Sequence, residues 1–92
     1  MNTQRYHESI QRGSPDFPLD YHYVDEHHNR YEMPYHWHEE MELLHVRRGS
    51  FTLAIGEQTH ALGAGDVAFI APGKLHGGEP RDCVYECVVL DL

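Results

Sequence analysis

Ninety-two residues allow one small domain, and so short a chain buries a modest share of its surface and is marginally stable. Fifteen acidic residues stand against seven basic ones, a formal charge of −8 with histidines neutral, and this excludes direct nucleic-acid binding, which draws its affinity from Lys and Arg on phosphate. No apolar run approaches the roughly 20 residues of a membrane helix. Residues 1–7 lack the apolar core of a secretory signal, so the expected location is cytoplasmic, with no membrane partner.

Residues 1–18 read as a polar arm. Arg12-Gly13-Ser14-Pro15-Asp16-Phe17-Pro18 is turn chemistry, and Phe17 and Leu19 could anchor the arm to the body. Residues 20–25 (DYHYVD) have the aromatic and β-branched content of a strand, and 26–30 form a polar turn. Pro34 prevents a helix before the next segment. That segment is Tyr35-His36-Trp37-His38-Glu39-Glu40-Met41-Glu42, running into Leu43-Leu44-His45-Val46. Read as one strand from His36 to Val46, positions of one parity share a face. That face carries His36, His38, Glu40 and Glu42, then Leu44 and Val46. The opposite face, with Met41, Leu43 and His45, is too apolar for water and should meet a second sheet, the arm or a partner subunit.

Arg47-Arg48-Gly49-Ser50 is expected to turn the chain. Phe51-Thr52-Leu53-Ala54-Ile55 alternates as a half-buried strand, Gly56-Glu57 makes a hairpin, and 58–62 pairs back. Residues 63–66 turn, 67–70 form a short apolar strand, and Ala71-Pro72-Gly73-Lys74 turns again before Leu75-His76-Gly77-Gly78. Residues 83–92 (CVYECVVLDL) form the last strand. Short strands with turn signals every eight to twelve residues indicate an all-β sandwich or barrel. A chain stopping on so strong a strand reads as truncated at its C-terminus, or completed by a partner. Cys83 and Cys87 lie four apart, about 13 Å along a strand, too far for a disulfide, and read as buried thiols.

His36, His38 and Glu42 offer two nitrogens and a carboxylate, and His76, behind a Pro-Gly turn, is the candidate fourth ligand. Such a set suits Zn, Fe, Mn, Ni or Cu, without choosing among them. Glu40, on the same face, joins the four as a candidate ligand-binding residue. Two carboxylates side by side repel, so either a cation relieves them or one has a raised pKa, unless a β-bulge turns Glu40 outward. The bland alternative is a rim of histidines and glutamates bonded to one another and to water. His22, His27, His28, His45 and His60 read as surface or rim groups, and Tyr35 and Trp37 as packing residues. No nucleophile elbow, phosphate loop or Cys-x-x-Cys is present.

His36-x-His38-x3-Glu42-x6-Gly49 resembles the first motif of the cupin superfamily, and Gly65-Asp66-x6-Gly73-x2-His76 resembles the second. Arg30 stands where the first motif has a glycine, Pro72 comes one position late, and Pro80 replaces an asparagine. The last departure weighs against an enzyme. Residues 12–18, 31–38 and the run His76-Gly77-Gly78-x-Pro80-x-Asp82-Cys83-x-Tyr85-Glu86-Cys87 resemble the N-terminal sensor domain of AraC-type bacterial transcription regulators. This resemblance spans residues 12–92. It implies a cupin-like jelly-roll barrel, or double-stranded β-sandwich, over residues 19–92, incomplete at its end. It also implies a small-molecule effector, often a sugar or other metabolite, and a homodimer. DNA would be bound through a helix-turn-helix domain absent from these residues. The alternative it leaves open is a metal-dependent cupin enzyme, such as a dioxygenase, isomerase or epimerase.

Overall fold

The computed structural model describes residues 7, 13–14, 19–28 and 31–91. Most of the expected arm, including Phe17, lies outside the described residues, as does Arg30. Six strands carry the fold: β1 (Leu19–Val24), β2 (Met33–His36), β3 (Met41–Ile55), β4 (Gln58–Gly63), β5 (Val67–Ile70) and β6 (His76–Leu90). All pairings among the six strands are antiparallel.

The long strands β3 and β6 pair along their whole length, from Met41↔Leu90 to Ile55↔His76. Each serves two four-stranded layers. In one layer β1 and β5 flank them, through Leu19↔Leu90 to Val24↔Tyr85 and Glu42↔Ile70 to His45↔Val67. In the other, β2 and β4 flank them, through His36↔His76 and Ser50↔Gly63 to Ile55↔Gln58. This is the expected all-β jelly-roll arrangement, although the ladder does not close into a barrel among the described residues.

Two sequence expectations are corrected here. Residues 47–50 do not reverse the chain, and β6 begins at His76 rather than at Cys83. Both strands bend from one layer into the other instead. The register shifts between Val46 and Ser50, where Gly49 adopts φ 76° and Asp82, across from it, adopts φ 46°. A Cβ at Gly49 would run into the Asp82 carbonyl, so the close crossing requires glycine as well as the left-handed backbone. The local sequence Arg-Arg-Gly-Ser is turn chemistry, but continuous pairing to β6 overrides it.

The core lies between the layers. Leu44, Val46, Phe51, Leu53, Ile70 and Tyr85 are at most 1% exposed, and the Phe51 and Tyr85 rings meet edge to face at 4.8 Å. Burying each such side chain contributes roughly 1.5–3 kcal/mol. The Phe51 ring sits over Gly78, where a Cβ would collide with it. Tyr31 ties the β1–β2 connection to β6: its hydroxyl accepts the Cys83 N–H at 3.2 Å, and its carbonyl accepts the Tyr85 hydroxyl at 3.0 Å. Both cysteines are buried, free thiols.

The outer face of the β1–β6–β3–β5 layer exposes Tyr21, Tyr23, Leu43, Val67 and Phe69. Glu86 stands among them, accepting from the Tyr21 hydroxyl, from His45 at 3.1 Å and from Arg47 at 3.2 Å. The apolar parity of β3 therefore meets no second sheet among the described residues.

Candidate metal centre and adjoining cavity

Four side chains from three strands and one connection converge inside the mouth of the sandwich. His36 is the last residue of β2, His76 the first of β6, and the two are register partners. Glu42 is the second residue of β3. His38 lies in the link between β2 and β3, where the Gly73 N–H donates to its carbonyl at 2.8 Å. That bond ties the Pro72-Gly73 turn to the first motif. Ligand atoms of His36, His38, Glu42 and His76 all lie within 4.8 Å of one another. The imidazole centroids stand 4.2 to 5.3 Å apart.

The expected single strand from His36 to Val46 is thus broken over 37–40. The cluster forms because two strands and a link meet at one point, not because four residues alternate along one strand. Glu40 is buried, but its carboxylate is not among the converging atoms, and His38 Nδ1 bonds to its backbone carbonyl.

The second nitrogen of each ring decides what the cluster can hold. Nδ1 of His36 lies 2.9 Å from the Pro34 carbonyl, Nδ1 of His38 3.0 Å from the Glu40 carbonyl, and Nδ1 of His76 2.8 Å from the Lys74 carbonyl. A carbonyl only accepts, so each Nδ1 donates. A neutral imidazole has one N–H, so each Nε2 then presents a lone pair. Nε2 of His38 is 3.0 Å from Glu42 Oε1. Nε2 of His76 is 3.3 Å from the same oxygen, is buried, and has no hydrogen-bond partner. Acceptor facing acceptor in a buried site is unfavourable, and a second proton on a ring or a cation between the groups relieves it.

Burial pushes the Glu42 carboxyl up, but the close contacts with His38 and His76, whose rings attract the ionised form when they carry the second proton, outweigh it and hold the group well below the usual carboxylate range. Glu42 is therefore not a raised carboxylate, because imidazoles rather than Glu40 surround it. Nitrogen and oxygen donors about 2.0–2.2 Å from an ion stand at most about 4.4 Å apart, so ligand atoms spread over up to 4.8 Å would draw together by a few tenths of an ångström on an ion.

A cavity of about 270 Å³ adjoins the cluster, lined by His36, His38 and Glu42 at one end. His76 stands behind them. Val24, Tyr85, Cys87 and Val89 form much of the remaining wall, with His22, Glu32, Met33 and Pro34. His22, expected at the surface, lines this cavity. Its parity with the buried Val24 on β1 was the available signal. His27 and His60 are exposed, as expected, while His45 bonds to Glu86 on the outer face. Trp37 packs against His7, its ring stacked at 4.0 Å.

Comparison with known proteins places these features. The model of the AraC-like ligand binding domain matches residues 18–90. The chain is similar to the uncharacterized HTH-type transcriptional regulator YdeC of Bacillus subtilis (strain 168), with 34% identity over 59 residues. That match takes in 61% of this chain and 20% of the regulator, so the chain spans about a fifth of the length of this relative. An RmlC-like cupin from Shewanella frigidimarina superposes with a TM-score of 0.66 at 19% identity, over 83% of this chain and 67% of that one. A predicted oxalate decarboxylase from Thermotoga maritima superposes at 0.60 with 25% identity, over 64% and 55%. An HTH_3 family transcriptional regulator from Vibrio cholerae superposes at 0.57 with 19% identity, over 89% and 56%.

Proposed function

Because the chain belongs to the AraC-like ligand binding domain family, we propose that it is the effector-sensing domain, residues 19–92, of an AraC-type transcription regulator. A small molecule enters the cavity and meets His36, His38 and Glu42 directly or through a divalent transition metal that those residues hold with His76. Glu40 supports His38 through its backbone carbonyl. DNA is contacted by a helix-turn-helix domain outside these residues, and the regulator works as a homodimer. The arm, residues 1–18, is the moving part, and its described residue His7 stacks on Trp37, next to His36 and His38 in the chain. Coupling to DNA requires the effector to favour one of two states of the regulator.

The observation that carries this reading is the convergence of three rings, each held by an Nδ1–carbonyl bond, on Glu42, with Nε2 of His38 and His76 at 3.0 and 3.3 Å from its carboxylate. When bound, a metal would supply Lewis acidity and a docking point for an oxygen donor. The test is a reporter assay in the regulator that contains this domain. His36→Ala combined with His76→Ala abolishes the response to effector while the protein remains folded. A double variant that still responds normally contradicts the reading.

A metal-dependent cupin enzyme is the second reading. The likeness to a predicted oxalate decarboxylase favours it. Turnover of oxalate by the manganese-loaded chain, lost in His38→Ala, would establish it.

A further inference from the structure

The cavity has a chemistry distinct from that of the cluster it adjoins. About 270 Å³ is available, and a cavity of about 150 Å³ accepts a benzene ring. There is room for one ring or short branched chain, plus a head of a few atoms. His36, His38 and Glu42 belong to the cluster, His22 and Glu32 are the other ionisable lining residues, and Val24, Tyr85, Cys87 and Val89 supply an apolar wall from β1 and β6. Among the described lining residues there is no amide, no serine or threonine hydroxyl, and no lysine or arginine. The hydroxyl that the wall does contain, on Tyr85, already donates to the Tyr31 carbonyl.

These walls discriminate between ligand classes. A sugar carries a hydroxyl on nearly every carbon, and each one loses its water on entry. His22 and Glu32 can each meet a hydroxyl, but along Val24, Met33, Pro34 and Val89 the remaining hydroxyls find no replacement partners, and unpaired buried polar groups oppose binding. An apolar body gains from the same walls by leaving water. The Glu42 carboxyl and the His36 and His38 rings line the cavity, so an alcohol head finds a hydrogen-bond partner there.

Resting on the reading of this cavity as the effector site, we infer that the effector is a compact amphiphile and not a polyhydroxylated sugar. One oxygen-bearing head meets His36, His38 and Glu42. A ring or branched aliphatic body of roughly six to eight heavy atoms lies on Val24, Tyr85, Cys87 and Val89.

Methyl NMR on the 92-residue chain tests this, with benzoate, benzyl alcohol, isovalerate, L-arabinose and D-glucose as probes, each with and without Zn²⁺. The expected result is that at least one amphiphile shifts the Val24 and Val89 methyl signals and binds about tenfold or more tighter than either sugar. Val89→Thr and Cys87→Ser place polar atoms in the wall and should weaken the amphiphile several-fold. Since either could loosen the core, the wild-type ranking decides. A sugar that shifts the same methyls and binds as tightly as the amphiphiles overturns the inference and leaves the effector reading standing. No shift from any probe under either condition overturns both.

Discussion

Glu42 sets the electrostatics of the site. It is a buried carboxylate whose pKa is raised by burial and lowered further by His38 and His76, with a lowered net result. A folded-state pKa below the unfolded one means that the charged form stabilises the fold. That contribution is complete above the ordinary value of about 4.3 and is lost as the pH falls below it toward the lowered folded value. Urea denaturation of metal-free protein should therefore show stability falling between about pH 4.5 and 3, and Glu42→Gln should flatten the dependence. An unchanged slope in the variant would remove Glu42 from this role. Cys83 gives a second residue-scale prediction. It is 0% exposed, and burial pushes its thiol pKa up despite the weaker opposing effect of Arg48. N-ethylmaleimide should leave Cys83 unmodified in native protein and label it in denaturant, as read by peptide mass.

At the scale of elements, the two bent strands hold the cluster together. β3 delivers Glu42 and β6 delivers His76 from opposite ends of one ladder. The bend at Gly49 and Asp82 gives that ladder its two-layered shape. Gly49 and Gly56 both have positive φ, but a Cβ at Gly56 meets nothing within 4 Å. Gly56→Ala should cost about 1–2 kcal/mol, the strain of a left-handed alanine. Gly49→Ala adds a backbone collision and should cost about 1–3 kcal/mol more. Chemical denaturation of the two variants checks the order, and equal losses would mean that the crossing is not tight.

Much of this scale was legible in the sequence. Alternation in Phe51-Thr52-Leu53 and the Gly56-Glu57 hairpin appear as expected. Leu44 and Val46 share the inner face with Glu42 because parity holds within a continuous strand. Parity could not reach across residues 37–40, where the strand breaks, so it grouped Glu40 with His36 and His38 although its carboxylate stands apart. It also could not show that β6 starts at His76, since Gly77, Gly78 and Pro80 carry little strand signal. Gly77 and Gly78 are small because Met33 and the Phe51 ring press on them, a long-range fact. The cavity wall was hidden for the same reason: Val24, Cys87 and Val89 become neighbours only through the β1–β6 pairing.

For the whole molecule, charge and family agree. A net charge of −8 on 92 residues opposes approach to a phosphate backbone. In a gel-shift assay at physiological salt the chain alone should not retard duplex DNA. Retardation that weakens with added salt would contradict the division of labour proposed here.

The central claim is that three imidazoles and one carboxylate, fixed by carbonyl bonds to their backs, form one cation site. Calorimetric titration of Zn²⁺ into metal-free protein tests it most directly, with His76→Ala and His45→Ala as partners. His45 lies on the outer face and serves as the control. The account predicts one tight Zn²⁺ per chain in wild type and in His45→Ala, with affinity at least about 100-fold weaker in His76→Ala. No binding to the wild type, or equal binding to all three, would contradict it.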